Sequence, residues 1–284
     1  MLSKTSLGMM AAALMGAALV GAPALAADSH AQPQPPRLSW SFAGFFGKYD
    51  QGQLQRGFKV FREVCVNCHS ADKLAFRNLS EPGGPEFSEA QVKALAAQYK
   101  VKDGPNDAGD MFERPARPSD IWPSPFPNEN AARTANGGGL PPDMSVLAKA
   151  RSYKRGFPWF VLDALPGIQY QEHGVDYIAA LLQAYKDDPP HGEKLDAGQY
   201  WNDIMPGNRI AMPKPMSDGQ VDYSDGTPAT MENYSKDVSA FLMWMAEPKL
   251  DERKKTGFRV LVFMAILTGL LYATKKRVWA STPH

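Results

Sequence analysis

Cysteine is almost absent: the 284 residues hold two, Cys65 and Cys68. A pair only three positions apart builds no disulfide framework, so the redox compartment must be read from targeting signals instead. Basic surplus is also missing. A formal charge of +1 leaves nothing to neutralise a phosphate backbone and excludes a nucleic-acid binder. No run of residues alternates convincingly between apolar and polar, so no strand is expected, and no internal repeat appears. The triplet Gly137-Gly138-Gly139 lacks the Gly-Lys-Ser/Thr ending of a phosphate loop.

What is present fits a helical body. Hydrophobic residues make up 44% of the chain and charged residues 21%, enough for a sizeable core. With 24 prolines and 24 glycines, long irregular connections are expected between helices, above all over residues 102–142. Helices are predicted at 50–64, 88–99, 144–152, 174–185 and 228–246. In the first, Leu54, Phe58, Phe61 and Val64 make one apolar stripe. Gly57 inside it either sits idle on an exposed face or lets another helix approach closely. In the last, Thr227 is the expected cap with Pro228 at the first helical position, and Val238, Phe241, Leu242 and Met245 form the buried stripe.

The two ends carry address and anchor. Lys4, an apolar stretch over 7–20 and the small-residue ending Ala24-Leu25-Ala26 read as a secretory signal peptide, residues 1–26, rather than an uncleaved anchor. No arginine precedes Arg37, which disfavours a mitochondrial transit peptide and favours a bacterial exported protein. Near the other end, residues 260–274 are uncharged and span about 22 Å as a helix. Extended to 256–275, with Arg259 and Lys275 able to snorkel, the segment is long enough for a transmembrane anchor. Residues 27–255 would then lie in the periplasm and 276–284 in the cytoplasm, in a single-pass protein of the bacterial inner membrane.

Cys65-Val66-Asn67-Cys68-His69 is a c-type haem attachment sequence. The two thiols would add across the two vinyl groups, and His69 would meet the iron as one axial ligand. A zinc site would need further cysteines or paired histidines, and a thiol–disulfide site a βαβ context; neither is present. For the sixth position a methionine thioether suits an electron carrier, because it raises the potential. Met212 lies in the proline-stiffened stretch Ile210-Ala211-Met212-Pro213-Lys214-Pro215, and Met216 is its nearest rival. His173 and His191 stand alone in polar sequence.

With these residues in view, the chain resembles the cytochrome c1 family, the haem subunits of cytochrome bc1 complexes. The resemblance runs from about Ser41 to Trp279. It rests on Arg56-Gly57 leading into the Cys65–His69 motif, Leu140-Pro141-Pro142-Asp143-Met144-Ser145, Ile210-Ala211-Met212-Pro213, and Asp225-Gly226-Thr227-Pro228-Ala229-Thr230 with Ala246-Glu247-Pro248-Lys249. It implies a mostly α, cytochrome c-like domain with long loops and one C-terminal transmembrane helix. It implies one covalent haem c bound by Cys65, Cys68, His69 and Met212, which resolves the sixth ligand. Pro141 and Pro142 would line the pocket. Arg151 would pair with a propionate, or else cap a helix C-terminus. Lys214 stands where many relatives have proline, and the extra cysteine pair of some bacterial members is missing.

The function so implied is non-catalytic. Electrons would pass singly from a Rieske iron–sulfur protein to a c-type cytochrome, in a dimeric complex whose cytochrome b does the quinol chemistry. A free-standing membrane-anchored shuttle is the alternative; a haem enzyme or gas sensor would need an open sixth position. Five acids between Asp218 and Asp237, against Lys236 alone, form either a steering patch for a basic acceptor or an ordinary solvated surface.

Overall fold

A computed structural model of the chain describes residues 34–151, 158, 162 and 172–281. The signal peptide expected at 1–26 lies outside the described residues.

The first helix, α1 (Gln51–Glu63), starts where the Asp50 side chain accepts the Gln53 N–H at 2.6 Å. Its apolar stripe is buried as expected, with Leu54, Phe58 and Phe61 joined by Val60. Two short helices follow, α2 (Glu89–Ala96), capped by Ser88, and α3 (Glu129–Ala135), capped by Asn128. The helix expected at 144–152 shrinks to one turn, α4 (Leu147–Ala150). The helix α5 (His173–Gln183) precedes the long α6 (Met231–Ala246).

Thr227 does not cap α6. Thr230 does, accepting the Asn233 N–H at 3.4 Å, while the Asp218 carboxylate takes the Met231 N–H at 2.6 Å. Two competing acceptors at residues 218 and 230 move the helix start by one turn and leave Pro228 in the preceding loop. Nor is α6 amphipathic: Tyr234, Ser235 and every residue from Asp237 to Met245 are buried. Both α1 and α5 pack on it.

The α1–α6 contact is a close backbone approach. A Cβ placed on Gly57 would lie 2.1 Å from the Asp237 carbonyl oxygen and 2.8 Å from the Phe241 Cβ. Gly57 is therefore the close-approach residue. Beside it Arg56 donates Nε–H to Asp237 Oδ2 and Nη1–H to Asp225 Oδ2, both at 2.8 Å. Asp237 is nearly fully buried, and this pairing offsets the loss of its hydration. Around the crossing an aromatic cluster fills the core, with ring centroids 5.2 Å apart for Phe61–Phe241 and 5.0 Å for Phe76–Trp122.

Strands do occur, contrary to expectation, because each is only two to four residues long and shows no legible alternation. Strands β1 (Lys100–Asp103) and β2 (Phe112–Pro115) form an antiparallel pair. Strands β3 (Tyr185–Lys186), β4 (Tyr200–Asn202) and β5 (Arg209–Ile210) form a second antiparallel sheet, with Tyr185 opposite Asn202 and Trp201 opposite Arg209. Asn202 is fully buried and fully used. Its amide donates to the Leu181 carbonyl at 2.8 Å, and its Oδ1 accepts the Ile204 and Met205 N–H groups.

The last helix, α7 (Leu250–Val278), begins six residues before the expected span and is seated on the body by its first turns. Leu250 is buried, the Tyr49 N–H donates to Asp251, and Glu247 pairs with both Lys149 and Arg253. Beyond them the helix exposes Phe258, Val260, Leu261, Phe263, Ile266, Leu270 and Leu271. Its most apolar 18-residue window has a mean hydropathy of 1.7, and none of it is buried. The helix is long and apolar enough to cross a membrane.

Two outcomes follow. In chemical denaturation, G57A should lose about 1–3 kcal/mol through overpacking. G52A, which meets nothing closer than 3.5 Å in the same helix, should gain about 0.5–1 kcal/mol. The second concerns Asp176, whose Oδ1 accepts Trp40 Nε1–H at 2.7 Å and the Leu38 N–H at 3.1 Å. Burial pushes this carboxyl from its ordinary 3.8 up to about 6, against the pull of those donors. Within that window the folded chain holds a proton that the unfolded chain has lost, so the carboxyl's contribution to stability declines as pH rises from about 3.8 to 6. Stability–pH curves should show this slope in the wild type and lose it in D176N.

Candidate functional site

The candidate haem site begins where α1 runs out. The Val64 N–H still bonds the Val60 carbonyl, after which the chain tightens into a 3₁₀ turn, Cys65–Asn67, closed by the His69 N–H on the Cys65 carbonyl at 3.0 Å. Asn67 secures the turn by donating its amide to the Glu63 and Val64 carbonyls. Cys65, Cys68 and His69 are thus held on one turn at the end of a helix anchored in the core. Both thiols are unbridged, Cys65 half-buried and Cys68 exposed. Burial pushes the Cys65 thiol up to about 12, so the free thiol is no thiolate at neutral pH. Among the described residues, no group of three His, Cys, Asp or Glu is placed to hold a metal ion.

His69 is fixed by a second segment. Its Nδ1 lies 2.8 Å from the Pro142 carbonyl oxygen, which assigns the proton to Nδ1 and leaves the Nε2 lone pair free to act as a donor. Burial lowers the imidazole's pKa, outweighing that carbonyl and Asp143, so the ring is neutral at pH 7. The next residue, Asp143, ties the segment back to the turn. Its carboxylate accepts the Ser70 hydroxyl and the Asp72 N–H, each at 2.8 Å, and the Ser145 N–H at 2.9 Å. The Met144 N–H adds a bond to the Ser70 carbonyl. Burial opposes ionisation of Asp143, yet these donors together hold its pKa below the usual value.

Met212 comes from the loop leaving β5. That strand is held by β4, β4 by β3, and β3 begins two residues after α5 ends. The Tyr185 hydroxyl, on β3, donates directly to the Met212 carbonyl at 3.1 Å. The side chain of Met212 is half-buried against the core, whereas its rival Met216 is 1% exposed and belongs to the core itself. Segment 139–143 also approaches the Met212 loop: a Cβ on Gly139 would be in ordinary contact with the Ala211 Cβ, at 3.5 Å. Segment 139–143 therefore meets His69 at one end and the Met212 loop at the other, with Leu140 and Val146 left exposed.

Other expected residues fall differently. Pro141 is half-buried and Pro142 exposed. Arg151 ends α4, its N–H on the Leu147 carbonyl, with an exposed side chain. His173 opens α5, and His191 lies in a 3₁₀ turn, Pro190–Gly192. The acidic stretch is less acidic than it reads. Asp237 and Asp225 are paired with Arg56, Asp218 helps cap α6, and the Lys59 ammonium reaches the Asp222 carbonyl. Tyr185 and Asn202 escaped the sequence reading. Tyr185 acts on Met212, 27 residues away, and Asn202 joins a local turn at 204–205 to Leu181, 21 residues back, a link that no local pattern marks.

A profile of the Cytochrome C1 family matches residues 40–282. A "Cytochrome b/c1" from Bradyrhizobium diazoefficiens is 60% identical over 249 residues, covering 88% of this chain and 36% of that protein. The chain thus spans about a third of that relative's length. A "Cytochrome c1" from Blastochloris viridis is 52% identical, covering 85% of each chain, and one from Rhodospirillum rubrum is 44% identical, covering 87% and 88%.

Removing the Asp143 carboxylate should unpin segment 139–143. D143A should lose on the order of 1–3 kcal/mol in thermal or denaturant unfolding, because the Asp72 and Ser145 N–H groups lose their acceptor. D143N, which keeps one acceptor oxygen, should lose less.

Proposed function

This chain belongs to the cytochrome c1 family, and we propose that it is the electron-transfer subunit of a bacterial cytochrome bc1 complex. In this reading it passes electrons one at a time from a Rieske iron–sulfur protein to a c-type cytochrome. The observation that carries it is the convergence of the Cys65–His69 turn and the Met212 loop on the single segment 139–143.

The residues fit one covalently bound haem c. Cys65 and Cys68 would supply two unbridged thiols for thioether bonds, and His69 Nε2 and the Met212 thioether would supply the iron's two side-chain donors. When bound, the haem supplies a one-electron couple, and His–Met ligation sets it high. The chain does the rest. The Pro142 carbonyl orients the imidazole and raises its donor strength. Tyr185 fixes the backbone of Met212. No acid–base group is needed, because quinol chemistry belongs to the partner cytochrome b.

The topology proposed with it has four parts. Residues 1–26 are the cleaved signal and 27–255 the periplasmic haem domain. Residues 256–275 form the anchor within α7, and 276–284 the cytoplasmic tail, in a single-pass inner-membrane protein of a dimeric complex. Segments 256–275 and 27–255 share one continuous helix from Leu250, so the anchor and the haem domain are rigidly joined at that point.

Two measurements test this. Purification in mild detergent with redox difference spectra should recover b-type haem and quinol oxidation with this chain; a c-type spectrum alone would indicate a free-standing shuttle. M212L should lower the haem potential sharply and admit CO to the reduced protein. An unchanged potential removes Met212 from the site.

A further inference from the structure

Two consecutive phenylalanines project from a tight loop beside the root of α7. Phe46 is 73% exposed and Phe45 43%, an uncommon placement for large aromatic side chains in a soluble surface. The loop is not loose. The Ala43 N–H bonds the Trp40 carbonyl, the Lys48 N–H bonds the Ser41 carbonyl at 3.0 Å, and Gly44 adopts a left-handed φ of 70°. A Cβ on Gly47 would lie 2.0 Å from the Ala43 carbonyl oxygen, so the turn closes on itself. Lys254, from the second turn of α7, donates its ammonium to the Phe42 carbonyl at 2.5 Å and the Gly47 carbonyl at 3.3 Å. The loop is thereby clamped to the helix.

The clamp brings three rings together. Phe258 of α7 stands edge-on to both loop rings, with centroids 5.6 Å from Phe46 and 6.1 Å from Phe45. Around them lies a cleft of about 340 Å³ lined by Lys48, Lys254, Lys255, Arg259 and a single acid, Asp251. Lys48, Lys255 and Arg259 are exposed, and the last two share one face of α7 at a four-residue spacing. Asp251 already accepts the Tyr49 N–H. The cleft is therefore cationic with an aromatic floor.

Its height along α7 says what it meets. Lys254 and Lys275 are 21 residues apart, about 31 Å along a helix, which matches the hydrocarbon thickness of a bilayer. If Lys275 marks one membrane surface, the cleft lies at the other, on the side of the haem domain. Exposed phenylalanine rings bury on the acyl side of that boundary, and ammonium and guanidinium groups favour the phosphates above it.

We propose that Phe45, Phe46 and Phe258 form an interfacial wedge, and that Lys48, Lys255 and Arg259 bind the phosphate of an anionic phospholipid in the adjoining leaflet. The wedge and the cradle would hold the haem domain at a set height and tilt above the membrane, which the helix alone does not determine. The proposal rests on the reading of α7 as a membrane span, and the test separates the two.

The haem-loaded mature chain is reconstituted into phosphatidylcholine vesicles with and without phosphatidylglycerol, floated on a gradient, extracted in mild detergent and weighed by native mass spectrometry. The wild type should float with both vesicles and retain phosphatidylglycerol. K48Q/K255Q/R259Q should float equally, keep its haem spectrum and retain severalfold less. Equal retention by that variant, or equal retention of phosphatidylcholine, overturns the cradle. In F46W the added indole should be quenched by lipids brominated near the glycerol; an unquenched indole overturns the wedge. A wild type that does not float overturns the membrane span itself, and the proposal with it.

Discussion

The contact between α1 and α6 at Gly57 is the constraint on which the rest depends. Because residue 57 carries no side chain, the Asp237 carbonyl and Phe241 come down onto the backbone of α1. That approach buries Phe58 and Phe61 on one side and places Arg56 against Asp237 and Asp225 on the other. The charge pair and the packed rings each favour a particular geometry, so together they fix both the separation and the rotation of α1. Rotation matters because α1 ends at Glu63, and two residues later the first thiol must face the right way. A few tenths of an ångström at Gly57 become a misplaced Cys65–His69 turn.

The opposite wall is built by different means. Segment 139–143 has no regular structure, and its position comes from Asp143, which gathers donors from residues 70, 72 and 145. The Met212 loop comes from a three-stranded sheet of very short strands, whose stability lies in the buried Asn202 and in the Tyr185 hydroxyl rather than in ladder length. Both walls are therefore held by a few hydrogen-bonded polar groups, with Asn202 buried and Asp143 and Tyr185 half-buried. Such a site gains definition without a large apolar contact, leaving its inner surface open.

Much of this was legible beforehand. The Cys65–His69 spacing is local chemistry, and the apolar stripe of α1 is local periodicity, so both survive into the structure. Gly57 reads from the sequence as either idle or a point of close approach, and only the packing of α6 against it decides for the second. The strands escaped because two-residue segments carry no period, and the cap of α6 moved to Thr230 because Asp218, twelve residues away, supplies a second acceptor for that helix start. The acidic stretch, open in the sequence between a steering patch and a solvated surface, loses two of its five charges to Arg56, which lies more than 150 residues away.

The sequence by itself determined the Cys65–His69 motif, the apolar C-terminal helix and the family, because each is written in residues close together along the chain. Only the tertiary structure decided that Nδ1 of His69 is held by the Pro142 carbonyl and that Met216 belongs to the core while Met212 is left at its edge. It also decided that the Phe45-Phe46 loop is clamped to the root of α7. Those outcomes depend on hydrogen bonds and burial between segments 70 to more than 200 residues apart, and no local pattern encodes which carbonyl, thioether or ring the packed chain leaves within reach.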